Sequence, residues 1–194
     1  MTRSRYALAI STLLLMIALF GCGGGTKTIT AISVRTTPAN AGVPQGANQI
    51  FAATVTGTSN TAVTWSLQEG VAAGTITQTG VYSAPATAGT FHLVATSKAD
   101  TTKTAVATIT VPAVAVSISP TPVTVARVAS KTFTATVTGA SNTVVTWSLQ
   151  EGTAAGAITQ AGVYAAPSTA GTYHVIATSK ADATKSATAT VTVN

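Results

Sequence analysis

An eight-residue segment occurs twice in this chain, and the spacing of its copies limits the fold more than any other feature. Val63–Gly70 reads VTWSLQEG, and the same eight letters return at Val145–Gly152, 82 residues later. The register holds without a gap across the rest of both copies. Similarity at a fixed period indicates a repeated structural unit. We therefore expect two modules of one fold, module 1 over residues 30–111 and module 2 over residues 112–194.

Residues 1–21 have the features of a secretory signal peptide. Arg3 and Arg5 give a positive start, and an apolar run follows from Ala7 to Phe20. A helix needs about 20 apolar residues to span a bilayer, so this run is short for a permanent anchor. It ends at Cys22, the only cysteine in the chain.

The segment Leu19-Phe20-Gly21-Cys22 resembles the lipobox of bacterial lipoproteins, with a leucine third before the cysteine and a small residue directly before it. The resemblance implies cleavage between Gly21 and Cys22 and attachment of acyl chains to Cys22. Gly23 stands where aspartate would signal retention in the inner membrane, so the outer membrane is favoured where the organism has one. Residues 22–29 then form a glycine-rich tether. An ordinary signal peptide, or an uncleaved anchor with an incidental cysteine, is the alternative.

Alternation of apolar and polar residues predicts strands in both modules. Val63, Trp65 and Leu67 share one face of such a run, and period-2 patterns of this kind are typical of half-buried antiparallel strands. Turn-forming residues separate the runs. The predicted strands of module 1, with equivalents 82 residues later in module 2, lie near 30–36, 50–57, 61–67, 74–77, 80–84, 90–97 and 103–111.

Seven short strands in fewer than about 100 residues predict a Greek-key sandwich of immunoglobulin type. The predicted fold class is thus all-β, with two tandem immunoglobulin-like Greek-key β-sandwiches of about seven strands each. Neither module contains a cysteine, so no disulfide is expected. The junction at Pro112 is short, which restricts bending between the modules.

Three segments of module 1 are Trp65-Ser66, Gly80-Val81-Tyr82-Ser83-Ala84-Pro85 and Ala95-Thr96-Ser97, and module 2 matches them with Ala165 in place of Ser83. These segments resemble bacterial immunoglobulin-like domains, especially group 2 (BIG2) and its relatives. The resemblance implies the sandwich fold. It implies little about function, because such domains serve as stalks, adhesin modules and accessory domains.

The inventory of reactive residues argues against catalysis. The modules contain four acidic residues and two histidines, whereas an active site needs acids, bases or nucleophiles that converge. No two His or Cys residues have metal-ligand spacing. The formal charge is +6, but Arg3 and Arg5 lie in the leader, and nucleic-acid binders cluster their basic residues. We therefore expect no enzymatic activity, no cofactor, no metal and no nucleic-acid partner.

Individual conspicuous residues have structural interpretations. Trp65 shares a face with apolar neighbours and is predicted to lie in the core, as is its copy. His92 should point outward as a solvated residue. Val81 and Tyr82 face opposite sides, and the pattern does not decide which is buried. Asp100 is expected to stabilise a hairpin turn through local hydrogen bonds.

The two copies differ in the loop between the first two predicted strands, where Gln45 and Gln49 become Arg127 and Lys131. With an anchor at the N-terminus, this loop of module 2 should lie at the end farthest from the membrane. The hypothesis is that Arg127 and Lys131 form part of a distal binding surface. The alternative is that they are solvated charges that aid solubility.

These features predict a non-catalytic, lipid-anchored protein of the bacterial cell envelope or cell surface. It would act as an adhesion, recognition or structural spacer module. One alternative is a surface carbohydrate-binding protein. Another is an accessory subunit that docks through a sheet edge on an envelope enzyme or secretion complex. The expected partners are the membrane, through the acyl chains on Cys22, and a protein or polysaccharide at the envelope.

Overall fold

The computed structural model describes residues 30–194, so the leader, the predicted cleavage site at Gly21 and Cys22, and the tether lie outside the described residues. Module 1 is built from nine short strands and one 3₁₀ turn. They are β1 (Ser33–Thr37), β2 (Asn40–Gly42), β3 (Asn48–Ile50), β4 (Ala52–Thr56), β5 (Val63–Leu67), η1 (Gly70–Ala73), β6 (Thr75–Ile76), β7 (Val81–Ser83), β8 (Gly89–Ser97) and β9 (Thr104–Val111).

The strands of module 1 form the two layers of an immunoglobulin-like sandwich. One layer is a four-stranded sheet in the order β2-β9-β8-β5, in which β2 runs parallel to β9. The other layer comprises β1-β4 and β3-β7-β6, and only Phe51 separates β3 from β4. The predicted fold class is confirmed: two tandem sandwiches, all-β and without disulfides.

Two of the seven predicted strands differ from the structure. The first, near 30–36, ends before Pro38, which lacks the N–H group that a continuing ladder needs, and a strand that was not predicted, β2, follows it. As a result, β1 pairs with β4 in one layer and β2 pairs with β9 in the other. The second divides at Phe51, whose amide donates to the carbonyl of Gly80 at 2.8 Å. Gly80 has φ +84, and a Cβ there would overlap the Phe51 carbonyl, so only glycine fits this approach.

Module 2 repeats the topology, with the sheets β11-β18-β17-β14, β12-β16-β15 and β10-β13. Its elements are β10 (Ala115–Ser119), β11 (Val123–Val125), β12 (Ser130–Thr132), β13 (Thr134–Thr138), β14 (Val145–Leu149), η2 (Gly152–Ala155), β15 (Ala157–Ile158), β16 (Val163–Ala165), β17 (Gly171–Ser179) and β18 (Ser186–Val193).

Each module has its own core, made by the inward residues of alternating strands. In module 1, Phe51 and Tyr82 meet edge to face, with ring centroids 6.3 Å apart. Tyr82 is fully buried, which decides between it and Val81, and its hydroxyl donates to the Ala73 carbonyl at 2.7 Å. Trp65 is buried in the same cluster, as predicted. Between the two cores lies a smaller cluster of Val114, Val137 and Ala140.

Candidate functional site

Gln45, in the loop between β2 and β3, joins module 1 to module 2. Its amide donates to the Gly139 carbonyl at 2.9 Å, and its carbonyl accepts the Ser141 amide at 2.9 Å and the Ser141 hydroxyl at 3.1 Å. Its side-chain Nε2 donates to the Pro112 carbonyl at 3.1 Å, and the residue is 8% exposed. Gln45 and Ala140 therefore form one rung of a parallel β-ladder between the modules.

A cleft of about 290 Å³ lies beside this contact. Gly46 and Ala86 line it from module 1, and Asn142 and Lys180 from module 2. The lining carries one cation and no carboxylate, so it offers no acid–base pair. We interpret it as a space between two packed loop ends, at the place where the chain passes from one sandwich to the next.

The corresponding loop of module 2 lies at the opposite end of that sandwich. Here Arg127 occupies the position of Gln45, and Val128 that of Gly46. The Arg127 amide donates to the Asn194 carbonyl at 3.3 Å, just beyond the end of β18. The eight residues of β18 span about 25 Å at 3.3 Å per residue, and its other end is on the junction side. We call Arg127, Val128 and the adjoining Pro167 the tip of module 2.

Val128 has an uncommon backbone conformation. Its φ is +54, and it is the one non-glycine residue with positive φ among residues 30–194. Gly46 has φ +70, so module 2 keeps the turn but places a β-branched residue in it, which costs on the order of 1–3 kcal/mol. Val128 is also 77% exposed. A strained and exposed apolar residue beside a cation makes the tip the best candidate functional site.

The two residues of the distal-surface hypothesis, Arg127 and Lys131, lie in different surroundings. Arg127 is exposed in the tip, as expected. Lys131 is half-buried and lies in strand β12, paired with Tyr164, rather than in the loop. The strand begins at Ser130. The apolar alternation placed its start later, because the first residues of the strand are polar. Whether the two side chains bind a partner stays a prediction.

A carboxylate–imidazole pair, missed in the sequence, occurs in both modules. Glu69 Oε1 lies 2.6 Å from His92 Nδ1, and Glu69 Oε2 accepts the His92 amide at 2.9 Å. Glu151 and His174 repeat both contacts at 2.6 Å and 3.0 Å. His92 is thus partly exposed, as expected, but bound rather than simply solvated. The 23-residue spacing in both copies was the available signal.

Hydrogen bonds from the His92 side chain, and then from its backbone, hold the pKa of Glu69 below its ordinary value of 4.5. Each carboxylate oxygen already accepts a bond, so the carboxylate fastens the turn before η1 to β8. Within residues 30–194 there is no group of three or more His, Cys, Asp or Glu residues that could hold a metal ion.

The remaining conspicuous side chains serve the fold. Of the eight aromatic residues in the described part of the chain, seven are buried and Trp147 is half-buried. Asp100 Oδ1 accepts the amide and the hydroxyl of Thr102 at 2.9 and 2.7 Å, which confirms its predicted role in the hairpin turn. The bond from the Thr102 hydroxyl has the larger effect and the bond from its amide the smaller, and both lower the pKa of Asp100. No helix within 30–194 has the length and apolar character to cross a membrane.

Comparison with known proteins gives similar folds only. No protein-family model matches the chain, and no curated protein matches it. Among solved structures, domains 4 and 5 of the S-layer protein SbsC are 14% identical over 84% of this chain and 98% of that one, with a TM-score of 0.43. The immunoglobulin domains 1–5 of Sidekick-1 are 14% identical over 84% of this chain and 39% of theirs, with a TM-score of 0.44.

The adhesin InvE of Yersinia pseudotuberculosis is 14% identical over 89% of this chain and 62% of that one, with a TM-score of 0.33. The chain therefore spans less than two thirds of both InvE and the Sidekick-1 fragment. At such TM-scores these likenesses carry no argument about function.

Proposed function

We propose that this protein is a non-catalytic, lipid-anchored module of the bacterial envelope or cell surface, of the BIG2-like kind, which holds a contact surface away from the membrane. The observation that carries the proposal is the arrangement of the two ends. Residue 30, the first described residue, enters module 1 beside β1. The tip lies at the far end of module 2, beyond the junction at Gln45. Cys22 would supply the anchor and the tip the contact.

Two features of the chain support a recognition or spacer role. The junction is held by four hydrogen bonds of Gln45, which donates two and accepts two, so the modules meet through a defined contact as well as through the linker. The tip carries Arg127 and the strained Val128, a charge and an apolar side chain that no core requires. Outer-membrane anchoring is favoured, by the lipobox resemblance, where the organism has such a membrane.

The anchor is tested by metabolic labelling with an acyl-chain probe. The wild-type protein should take up the label and Cys22→Ser should not, because the thiol is the attachment point in the lipobox resemblance. Two or three acyl chains hold a small protein on a membrane far longer than one chain does. An unlabelled wild-type protein would contradict the proposal.

The contact surface is tested by binding to whole cells and to envelope polymers. The double variant Arg127→Ala/Lys131→Ala should bind less than the wild type. Its matched control is Lys98→Ala/Lys103→Ala, which removes the same charge at the other end of the chain. Equal binding by both variants would leave only the spacer role.

The accessory-subunit alternative is supported by the sheet edges. Strands β5 and β14 pair on one side only within the described residues, which leaves backbone groups for an added strand. Cross-linking and pull-down from membranes tests it. The carbohydrate-binding alternative has weaker support, because the aromatic rings on which sugars would stack lie mainly in the two cores.

A further inference from the structure

The junction shows what the tip of a module of this kind binds. The tip of module 1 contacts a polypeptide backbone: Gln45 donates to the Gly139 carbonyl and accepts the Ser141 amide. Two of its four hydrogen bonds use main-chain atoms of the segment 139–141, a third uses the carbonyl of Pro112 in the linker, and the fourth is from the Ser141 hydroxyl. This end of the sandwich is therefore suited to an extended peptide segment.

The tip of module 2 has the same turn, but its side chains and the hydrogen bonds of its backbone differ. Arg127 replaces Gln45, and its carbonyl accepts no hydrogen bond from the described part of the chain. Its amide makes one bond of 3.3 Å, longer than the 2.9 Å bond of the Gln45 amide. The positive φ of Gly46 recurs at Val128. The tip of module 2 thus keeps the turn of module 1 and a free carbonyl acceptor, whereas its Arg127 amide is used within the module.

The side chains of this tip favour an acidic segment. Arg127 and Lys131 are cations, whereas the equivalent residues of module 1, Gln45 and Gln49, are neutral. The guanidinium of arginine matches a carboxylate in two parallel hydrogen bonds. Glu151, in the loop after β14, is already bound to His174. A carboxylate from a partner is what this surface lacks.

A second copy of the chain does not suit the tip. The base of its module 1, meaning the loops between β4 and β5 and between β8 and β9, would present Lys98 where module 2 presents Lys180 to the junction, which would set two cations against each other. A Cβ on Gly46 would already lie 3.1 Å from the Ser141 hydroxyl, and Val128 adds two methyl groups beyond its Cβ. Ser59 is the equivalent serine of the base, so the junction contact cannot simply repeat between copies.

We propose, on the basis of the proposed surface function, that the tip of module 2 binds an extended acidic polypeptide segment of a partner protein. The Arg127 carbonyl accepts an amide of the segment, as the Gln45 carbonyl accepts the Ser141 amide at the junction. The guanidinium binds a carboxylate of the segment, and Val128 contacts an apolar neighbour. The partner is thereby defined as a protein with an exposed acidic strand or loop.

The test is selection of random peptides from a display library on the full chain, held through its acyl chains on a supported bilayer. Peptides rich in Asp and Glu should be enriched on the wild type and lost on Arg127→Gln/Val128→Gly, which restores the residues of module 1. Fluorescence anisotropy with a labelled enriched peptide should show binding about tenfold weaker for Arg127→Gln, as expected for the loss of one charge-assisted bond. It should also weaken with rising salt.

Lys98→Gln is the matched control and should bind the peptide like the wild type. Enrichment of no peptide, enrichment of neutral peptides, or equal binding by Arg127→Gln would overturn the inference. Enrichment of peptides that match the chain's own base loops would identify a second copy as the partner and would also overturn it. Loss of cell binding in Arg127→Ala/Lys131→Ala without any peptide binding would leave the proposed function intact and reject only the peptide partner.

Discussion

The hydroxyl of Tyr82 offers a direct test of how each module is held together. Tyr82 is fully buried, and its hydroxyl donates at 2.7 Å to the carbonyl of Ala73, itself fully buried at the end of η1. Tyr82→Phe removes the donor and leaves that carbonyl without its partner. A buried polar group left in this way costs about 1–3 kcal/mol. Tyr164→Phe should cost module 2 a similar amount, because Tyr164 bonds Ala155 at 2.7 Å.

Guanidinium chloride unfolding measures these free energies. The two tyrosines lie in separate cores, so the double variant should lose the sum of the single losses within about 0.5 kcal/mol. Tyr173→Phe is the control: its hydroxyl bonds the Thr169 carbonyl at 3.1 Å nearer the surface, and we expect a loss below about 1 kcal/mol. No loss in Tyr82→Phe would refute the role given to this bond.

The same residue makes the protein sensitive to alkali. Burial, and after it the nearby Glu69 charge, raises the pKa of Tyr82 to about 12 from its ordinary value of 10. The folded state therefore prefers the neutral phenol, and this part of the stability is complete below pH 10. It is lost as the pH rises from 10 toward 12, because the unfolded tyrosine ionises first. The stability difference between wild type and Tyr82→Phe should shrink from pH 9 to pH 11, and a constant difference would refute this explanation.

Three further changes probe the loops. Glu69→Gln should lower stability at pH 7 and have a smaller effect at pH 3, since a depressed carboxyl pKa stabilises above pH 4.5 and that contribution decreases as the pH falls through the folded-state pKa; unfolding at both pH values measures it. Gln45→Ala removes a side-chain bond worth about 0.5–1.5 kcal/mol and should speed hydrogen exchange of the Ser141 amide. Gly80→Ala should cost more than about 2 kcal/mol in thermal unfolding, and Gly70→Ala about 1 kcal/mol, because an added Cβ overlaps the Phe51 carbonyl at Gly80 but meets no atom within 4 Å at Gly70.

The sandwich could be predicted because its signals are local. A strand turns alternate side chains to one face, so Trp65 lies on the same face as the apolar residues Val63 and Leu67. That face is the inner one. The end of the first strand is marked in the sequence by Pro38, but the unpredicted strand β2 and its pairing with β9 depend on how the two sheets are stacked. That stacking is a property of the whole module.

The contacts of the candidate site could not be predicted in the same way. Gln45 is a polar loop residue by every local measure, and it is buried only because a second module meets it. Glu69 and His92 approach because η1 turns the chain back toward β8. The tip could be predicted in part, because comparison of the copies shows valine at position 128 where module 1 has Gly46. The positive φ that makes this difference informative is seen only in the structure.

Val128 is the residue at which the function of the tip can be separated from its stability. It is 77% exposed, so its side chain gains little from burial, while its left-handed backbone is unfavourable for a β-branched residue. Asparagine tolerates this conformation, so Val128→Asn should raise the free energy of unfolding by about 1 kcal/mol. The same variant should bind the acidic peptide less well, because the apolar contact is gone. If unfolding shows no gain in stability, the backbone there is unstrained and strain no longer marks the tip as functional.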